Sequence, residues 1–113
     1  MIIYIAGKMT GEPNWNAHEF NKAEVKLSFA GHTIFNMANV QPIYKPELVP
    51  HEAYMKIAFA IIDCCETICM LDGWEKSKGA TMEYEYARKK GKGVIEYRTF
   101  EYLTNNRPDY SKP

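Results

Sequence analysis

The sequence predicts an α/β fold, a three-layer sandwich in which helices cover both faces of a parallel sheet of about four strands. Short apolar runs of strand length alternate along the chain with longer segments whose apolar residues recur at helical spacing. The first run, MIIYIAG, is continuously apolar and ends in glycine, which is typical of a strand buried on both faces of a sheet. Because strands joined through helices take right-handed crossovers, the expected architecture is flavodoxin-like or Rossmann-like.

The first half of the chain supplies two strands and one helix. After the opening strand, Asn16 is a candidate N-cap, with Glu19 three residues later as in a capping box. The apolar positions that follow lie on one face of a helix that Gly31 ends, and they are Phe20, Ala23, Leu27 and Ala30. The segment HTIFN is the second predicted strand. Three prolines then break up a long loop, of a kind that is often functional: Pro42, Pro46 and Pro50.

The second half repeats the alternation. From His51, apolar positions at helical spacing predict a second helix, and they are Tyr54, Ile57, Ala58, Ile61, Ile62 and Cys65. TICML is the third predicted strand, and a loop rich in turn residues follows it. A third helix runs to Lys90 before Gly91 stops it, GVIEY is the fourth strand, and FEYLTNN is a short helical turn before a polar tail.

Length and charge limit the classes of function. We expect residues 1–113 to form one domain with one site, because 113 residues are enough for one core but too few for two. The 14 basic and 14 acidic side chains cancel without long runs of either sign, which argues against duplex nucleic acid or an anionic membrane as a partner. With no run long enough to cross a bilayer and no charged leader, the expected location is the cytoplasm.

Cysteine and histidine offer no local pattern for a metal or redox site. Cys64, Cys65 and Cys69 lie in apolar sequence without CxxC spacing, so we predict buried thiols rather than disulfides or a zinc site. His18 and His51 lie near helix starts and His32 near a strand start, which predicts surface or capping roles. No metal and no organic cofactor is expected.

Two loops are expected to meet at the carboxyl edge of the sheet, where ligands of open parallel sheets bind. The first loop, GKMTG, occupies residues 7–11 and follows the first strand. Its two glycines allow backbone amides to approach an anion closely, and Lys8 and Thr10 add side-chain donors. An ordinary turn between strand and helix is the alternative interpretation, since one pair of glycines is a weak signal.

The second loop begins at Asp72 and leads into the third helix, whose opening turn is predicted to contain Glu83. A carboxylate there is favoured by the helix dipole, so Glu83 is either a first-turn acid or a functional group kept ionised by its position. Ser77 lies six residues before it. Trp74 is either a lid that stacks on a ligand or a residue that packs the loop onto the domain.

Four segments together carry a resemblance to a known family: IYIAGKMTG, F…A…L…GH…FN, YM and DGWEKSKGATMEYEYA. The chain resembles the nucleoside 2-deoxyribosyltransferase-like superfamily, and specifically its small DUF4406 branch, which is found often in phages and prophages. The resemblance extends from Ile2 to about Ile95. In that superfamily the pattern G-[TA]-x-x-E-x-x-x-A carries the nucleophilic glutamate, and the matching residues here are Gly79, Ala80, Glu83 and Ala87.

The resemblance implies further roles at the site. Tyr4 matches a tyrosine that faces the glutamate in the transferases and in the related deoxynucleoside monophosphate N-glycosidase. The turn from Gly7 to Gly11, including Met9, matches that glycosidase's phosphate-binding turn, and Ser77 matches its phosphate-binding serine. This set favours a nucleotide over a bare nucleoside. The superfamily's second helix also supplies an aspartate, and the position nearest to it is Ala58, which has no carboxylate.

The function implied is an N-glycosidase or deoxyribosyltransferase that acts on a nucleotide or nucleoside through Glu83. A carboxylate beneath the sugar stabilises an oxocarbenium-like transition state and can form a covalent intermediate. Asp72, the nearest acid by sequence, is the candidate donor of a proton to the leaving base. The alternatives are a nucleotide-binding protein without catalysis and, third, a purely structural module. Relatives assemble as dimers or larger, so the MEYEYA helix and the proline loop are expected interfaces.

Overall fold

The computed structural model describes residues 1–39 and 50–106. In chain order the strands and helices are β1 (Ile2–Ala6), α1 (Ala17–Phe29), β2 (Thr33–Asn36), α2 (His51–Asp63), β3 (Thr67–Met70), α3 (Lys78–Lys89), β4 (Gly93–Glu96) and α4 (Tyr97–Asn106). Short 3₁₀ turns occupy Pro13–Asn16, Met37–Asn39 and Trp74–Lys76. Of the predicted proline loop, Pro42 and Pro46 lie outside the described residues.

The four strands form one parallel sheet in the order β2-β1-β3-β4. The first strand is therefore central, as the apolar run predicted, and its Tyr4 pairs in register with Phe35 on one side and Ile68 on the other. The direction of chain progression reverses between β1 and β3. The carboxyl ends of these two strands therefore define the crevice where ligands of such sheets bind.

Alternate residues of the two central strands contribute to two separate cores, as expected from the two-residue period of a strand. Ile3 and Ile5 pack with Phe20 and Leu27 of α1, together with Tyr97 at the start of α4. On the other face, a second cluster joins β1 and β3 to α2 and α3, and it includes Tyr4, Ala6, Ala58, Ile62, Ile68 and Ala80. The sheet thus has a helical layer on each face, and the predicted three-layer α/β fold is confirmed.

The start of α1 differs from the sequence prediction. The helix begins at Ala17, immediately after Asn16, but the Asn16 side chain makes no capping hydrogen bond. Three successive residues before the helix have left-handed backbones, with φ of 48° at Asn14, 56° at Trp15 and 63° at Asn16. A capping residue normally has an extended backbone, and the left-handed backbone of Asn16 departs from that geometry.

The start of α3 also differs. The helix begins at Lys78, and Ser77 is its N-cap, because the Ser77 Oγ accepts a hydrogen bond from the Ala80 amide at 3.1 Å. Glu83 therefore lies in the second turn of the helix and not in its opening turn, so the prediction of a first-turn acid was wrong. The cause is that the serine caps one turn earlier than expected, and Gly79 is accommodated inside the helix.

Two smaller differences concern the cysteines and the end of the chain. Cys65 and Cys69 are buried as predicted, but Cys64 is exposed because it lies just beyond the end of α2. The expected short helical turn after β4 is a longer helix, α4, which begins directly where the strand ends. None of the helices within the described residues has both the length and the apolar character needed to cross a membrane.

Candidate active site

A buried pair of polar side chains joins the sheet to α3. Tyr4 lies in the middle of the central strand β1, and Glu83 projects from the second turn of α3 toward it. The Tyr4 hydroxyl donates a hydrogen bond to the Glu83 Oε2, across 79 residues of sequence. Only 1% of Tyr4 and 4% of Glu83 are exposed. The structure therefore brings together the two residues predicted to be the nucleophile and its facing tyrosine.

Burial controls the acidity of this pair. Burial raises the pKa of Glu83 to about 8, and the hydrogen bond from Tyr4 opposes part of that rise. The pKa of Tyr4 is also raised well above its ordinary value, first by burial and then by the charge of Glu83. The sequence predicted that a helix N-terminus keeps Glu83 ionised. The structure differs because dipole stabilisation is confined to the first turn, and Glu83 lies beyond it in a buried environment.

Tyr54 of α2 is a member of this group that the sequence analysis did not single out. Its hydroxyl donates to the Met9 Sδ at 3.4 Å, and its proximity contributes to the raised pKa of Tyr4. Met9, from the loop after β1, packs against both core clusters. In the sequence, Tyr54 is recognisable only as a tyrosine on the apolar face of a predicted helix. A tyrosine in such a position is more often a core residue than a site residue.

The position that was expected, from the resemblance, to match an aspartate is apolar in this structure. Ala58 is fully buried on α2, in the same cluster as Tyr4. No second carboxylate is therefore supplied from that position. Within residues 1–39 and 50–106, no group of three His, Cys, Asp or Glu side chains could hold a metal ion.

Two glycines determine the backbone path of the loop after β1. A β-carbon on Gly7 would lie 2.9 Å from Leu71 Cδ1 and 3.0 Å from Leu71 Cβ, so any larger residue requires the Leu71 side chain to shift. Gly11 has a φ of +82°, a left-handed conformation that glycine adopts without strain. Between them, Lys8 pairs with Glu12 at 3.6 Å, and Thr10 is exposed.

The loop after β3 is held by packing and by its helix cap. The Trp74 ring lies against the Tyr84 ring, with centroids 4.7 Å apart, so the structure favours the packing role over a free lid. Ser77 is partly exposed while its Oγ caps α3, and its hydroxyl proton stays available to another acceptor. At Gly79 a β-carbon would meet only ordinary contacts, the closest being His51 Cε1 at 3.7 Å.

Asp72 and Lys8 occupy a different part of the carboxyl edge from the Tyr4–Glu83 pair. Both line a cleft of about 470 Å³ whose apolar wall, Leu71 and Tyr97, belongs to the core on the α1 side of the sheet. The Asp72 Oδ1 also pairs with the Arg98 Nε at 3.5 Å. The Tyr4–Glu83 pair lies on the other side, against α2 and α3. The predicted proton donor is therefore placed in an ion pair at a neighbouring cleft.

The fold and this pair define a class: an α/β protein with a tyrosine on its central strand that is hydrogen-bonded to a buried glutamate on the helix after β3. The chain belongs to the family described as "Domain of unknown function (DUF4406)", whose sequence profile matches residues 1–96. No curated protein matches the chain. The matched range contains β1 to β4, both loops and both members of the buried pair.

Proposed function

We propose that this protein is an N-glycosidase or deoxyribosyltransferase that acts on a nucleotide or nucleoside, with Glu83 as its nucleophile. The observation that carries the proposal is the buried hydrogen bond between Tyr4 and Glu83. A buried carboxylate is costly for stability, and an apolar residue of similar size would pack the same space at lower free energy. A chemical role gives a reason for an acid at this position.

The chemistry requires a carboxylate held at one face of the sugar. Ionised Glu83 attacks the anomeric carbon, and the carbon–nitrogen bond breaks with its electron pair going to the base, which takes up a proton. Water then attacks the glycosyl ester and restores the carboxylate, or a second base accepts the sugar instead. The Tyr4 hydroxyl orients the carboxylate through its hydrogen bond and favours the ionised form. No metal or organic cofactor takes part in these steps.

The loops around the pair suit a phosphate-bearing substrate. The turn from Gly7 to Gly11 and the Ser77 hydroxyl are assigned to the phosphate, with Thr10 as a side-chain donor. Met9 and Trp74 are assigned to the walls of the substrate site. Lys8 belongs to the same turn and is retained in the proposal as a phosphate contact, although it lines the neighbouring cleft. Asp72 is retained as the proposed source of the proton for the leaving base, a role that requires it to leave its ion pair with Arg98. We also propose that the protein acts as a homodimer or larger assembly.

A nucleotide-binding protein without catalysis is the second candidate, and two observations favour it. The position of the superfamily's second acid is the buried Ala58. In addition, a pKa of about 8 leaves most of Glu83 protonated at neutral pH, and a protonated carboxyl group is a poor nucleophile. The same loops would then hold a nucleotide or a nucleotide-derived signal and release it unchanged.

Incubation with a panel of deoxynucleoside monophosphates and the matching nucleosides, followed by chromatography, separates these two functions. Release of free base supports the proposed enzyme, and transfer to an added base identifies a transferase. If a monophosphate raises the thermal midpoint of the protein while no base is released over many hours, the binding protein is the correct assignment.

Replacement of Ser77 tests the phosphate assignment. We expect Ser77→Ala to weaken monophosphates about tenfold and the matching nucleosides little, because only the phosphate accepts a hydrogen bond from this hydroxyl. The same change removes the α3 cap and costs about 1 kcal/mol of stability, so binding should be measured well below the unfolding midpoint.

Ser77→Asp is the matched variant for this test, because aspartate is a good N-cap and keeps α3 intact. Its charge repels a phosphate, so it should weaken monophosphates further and leave the nucleosides near their wild-type affinity. Equal weakening of monophosphates and nucleosides in either variant excludes a phosphate contact at Ser77. Both affinities are measurable by calorimetry with the Glu83→Gln protein, which prevents turnover during the titration.

A further inference from the structure

The cleft on the α1 side of the carboxyl edge collects one cation from each of three neighbouring strands. Lys8 follows β1, Lys76 follows β3 and Arg98 follows β4, and all three line the same cleft of about 470 Å³. Because β1, β3 and β4 are adjacent in the sheet, the segments that leave their carboxyl ends converge. The cleft is large enough for a small polar molecule, and none of the roles assigned to the Tyr4–Glu83 pair uses Lys76 or Arg98.

The cleft also contains carboxylates. Glu12, Glu19, Asp72 and Glu101 line it beside the three cations, and Glu101 is bound by Lys22 and Lys26 at 3.3 Å each. Arg98 and Asp72 are 3.5 Å apart with side chains that are 77% and 69% exposed, so water screens this ion pair. Lys8 and Glu12 form a second, longer pair at 3.6 Å. Lys76 has no ion-pair partner among the described residues. A phosphate dianion carries more charge than a carboxylate and can therefore compete with Glu12 and Asp72 for these cations, against the repulsion of the carboxylates that it displaces.

The opposite wall of the cleft presents polar groups suited to hydroxyls. Asn16 lines the cleft, its side chain does not cap α1, and it ends a left-handed turn over Asn14, Trp15 and Asn16. Left-handed backbone costs roughly 1–2 kcal/mol per residue in non-glycine residues, and such strain is found preferentially at functional sites. Glu19, one turn into α1, adds a carboxylate acceptor to the same wall.

From these features we infer that the cleft is a second binding site, separate from the Tyr4–Glu83 pair, for a phosphate monoester that also carries hydroxyl groups, such as a sugar phosphate. Lys76 and Arg98 bind the phosphate, and Asn16 with Glu19 binds the hydroxyls. Arginine contributes paired N–H donors that match phosphate oxygens, and lysine contributes a mobile point charge. The inference does not depend on catalysis by the buried pair, because neither Tyr4 nor Glu83 lines the cleft.

Titration of the full ¹⁵N-labelled chain tests this site, with ribose 5-phosphate, inorganic phosphate and ribose as probes at fixed ionic strength. Ribose 5-phosphate should give saturable amide shifts at Asn16, Gly73, Lys76 and Arg98. Inorganic phosphate should shift only the last three and bind more weakly, and ribose should shift none. Binding should also weaken as salt is added, because the cations are solvent-exposed.

Variants assign the contacts. Lys76→Ala and Arg98→Ala should each weaken ribose 5-phosphate about fivefold or more, because each removes a charge-assisted contact to the phosphate. Asn16→Ala should weaken ribose 5-phosphate but not inorganic phosphate. Lys78→Ala is the matched control, since this exposed lysine lies two residues beyond Lys76 and does not line the cleft. It should bind as the wild type does.

Three results would overturn the inference. The first is the absence of any saturable shift with ribose 5-phosphate at millimolar concentration. The second is equal weakening by Lys78→Ala and Lys76→Ala, which indicates diffuse attraction to surface charge. The third is a set of shifts centred on Tyr4 and Glu83, with affinity lost in Glu83→Gln. If instead Glu83→Gln binds ribose 5-phosphate normally, the cleft site stands even where no base release is found.

Discussion

Replacement of Glu83 by glutamine should abolish base release from nucleotides, with turnover reduced about a thousandfold or more. Glutamine has the shape of glutamate and keeps an oxygen that can accept the hydrogen bond from Tyr4. It lacks the charge that stabilises an oxocarbenium-like transition state and cannot form the glycosyl ester. Ground-state binding of the nucleotide should survive, since most of its contacts lie elsewhere. Chromatography of released base and calorimetry of the bound nucleotide measure the two effects separately.

Glu85→Gln is the matched control for this experiment. Glu85 lies on the same helix two residues beyond Glu83, but its side chain is exposed. The control therefore makes the same substitution in the same helix without touching the buried pair. We expect wild-type turnover from it. Base release by Glu83→Gln at a rate near that of Glu85→Gln would remove Glu83 from the centre of the proposed mechanism.

The free energy of unfolding should fall as pH rises through the range between the two pKa values of Glu83. Its pKa is raised from the ordinary value of 4.5 to about 8 in the folded protein. Between these values the folded protein binds a proton at Glu83 that the unfolded chain has lost, so each rise in pH favours unfolding. The contribution is fully present below about pH 4.5 and is lost by about pH 8, with a total of a few kcal/mol.

Chemical denaturation at several pH values between 5 and 9 measures this dependence. Glu83→Gln has no titrating group at the position, so its stability should be flatter with pH and should exceed that of the wild type above about pH 8. Glu85→Gln should follow the wild-type curve. A pH dependence that is identical in the wild type and Glu83→Gln would show that the carboxyl group is already ionised in the folded state.

The fold could be predicted from sequence because each strand and helix is specified by its own local pattern. The apolar run of β1 predicts a strand that is buried on both faces, and the helical spacing of α1 and α2 predicts which face of each helix is buried. These buried faces determine how the helices pack on the sheet. Helix starts were less predictable. Asn16 has the composition of an N-cap, but a left-handed approach prevents it from capping, and Ser77 caps one turn earlier than expected. Both outcomes depend on the backbone conformation of the preceding loop, which composition does not determine.

The candidate site was predictable in its residues but not in its environment. Glu83 was named from a motif and Tyr4 from the family resemblance, and the structure joins them by a hydrogen bond. The raised pKa of Glu83 was not foreseen, because it depends on how completely α3 covers the carboxyl group. The convergence of Lys76 and Arg98 on one cleft could not be predicted from the sequence either, since it follows from the order of the strands in the sheet rather than from spacing along the chain.

The position of β1 in the middle of the sheet has a consequence for the order of folding. The first strand pairs with β2 on one side and with β3 on the other, so its hydrogen bonding is complete only after both strands have formed. Tyr4 and its carboxylate partner are separated by 79 residues of sequence. The buried hydrogen bond can therefore close only after α3 has docked, late in the assembly of the chain. During synthesis on the ribosome, the Tyr4 hydroxyl lacks its carboxylate partner until α3 has emerged, so a chain stalled before α3 cannot form the Tyr4–Glu83 hydrogen bond.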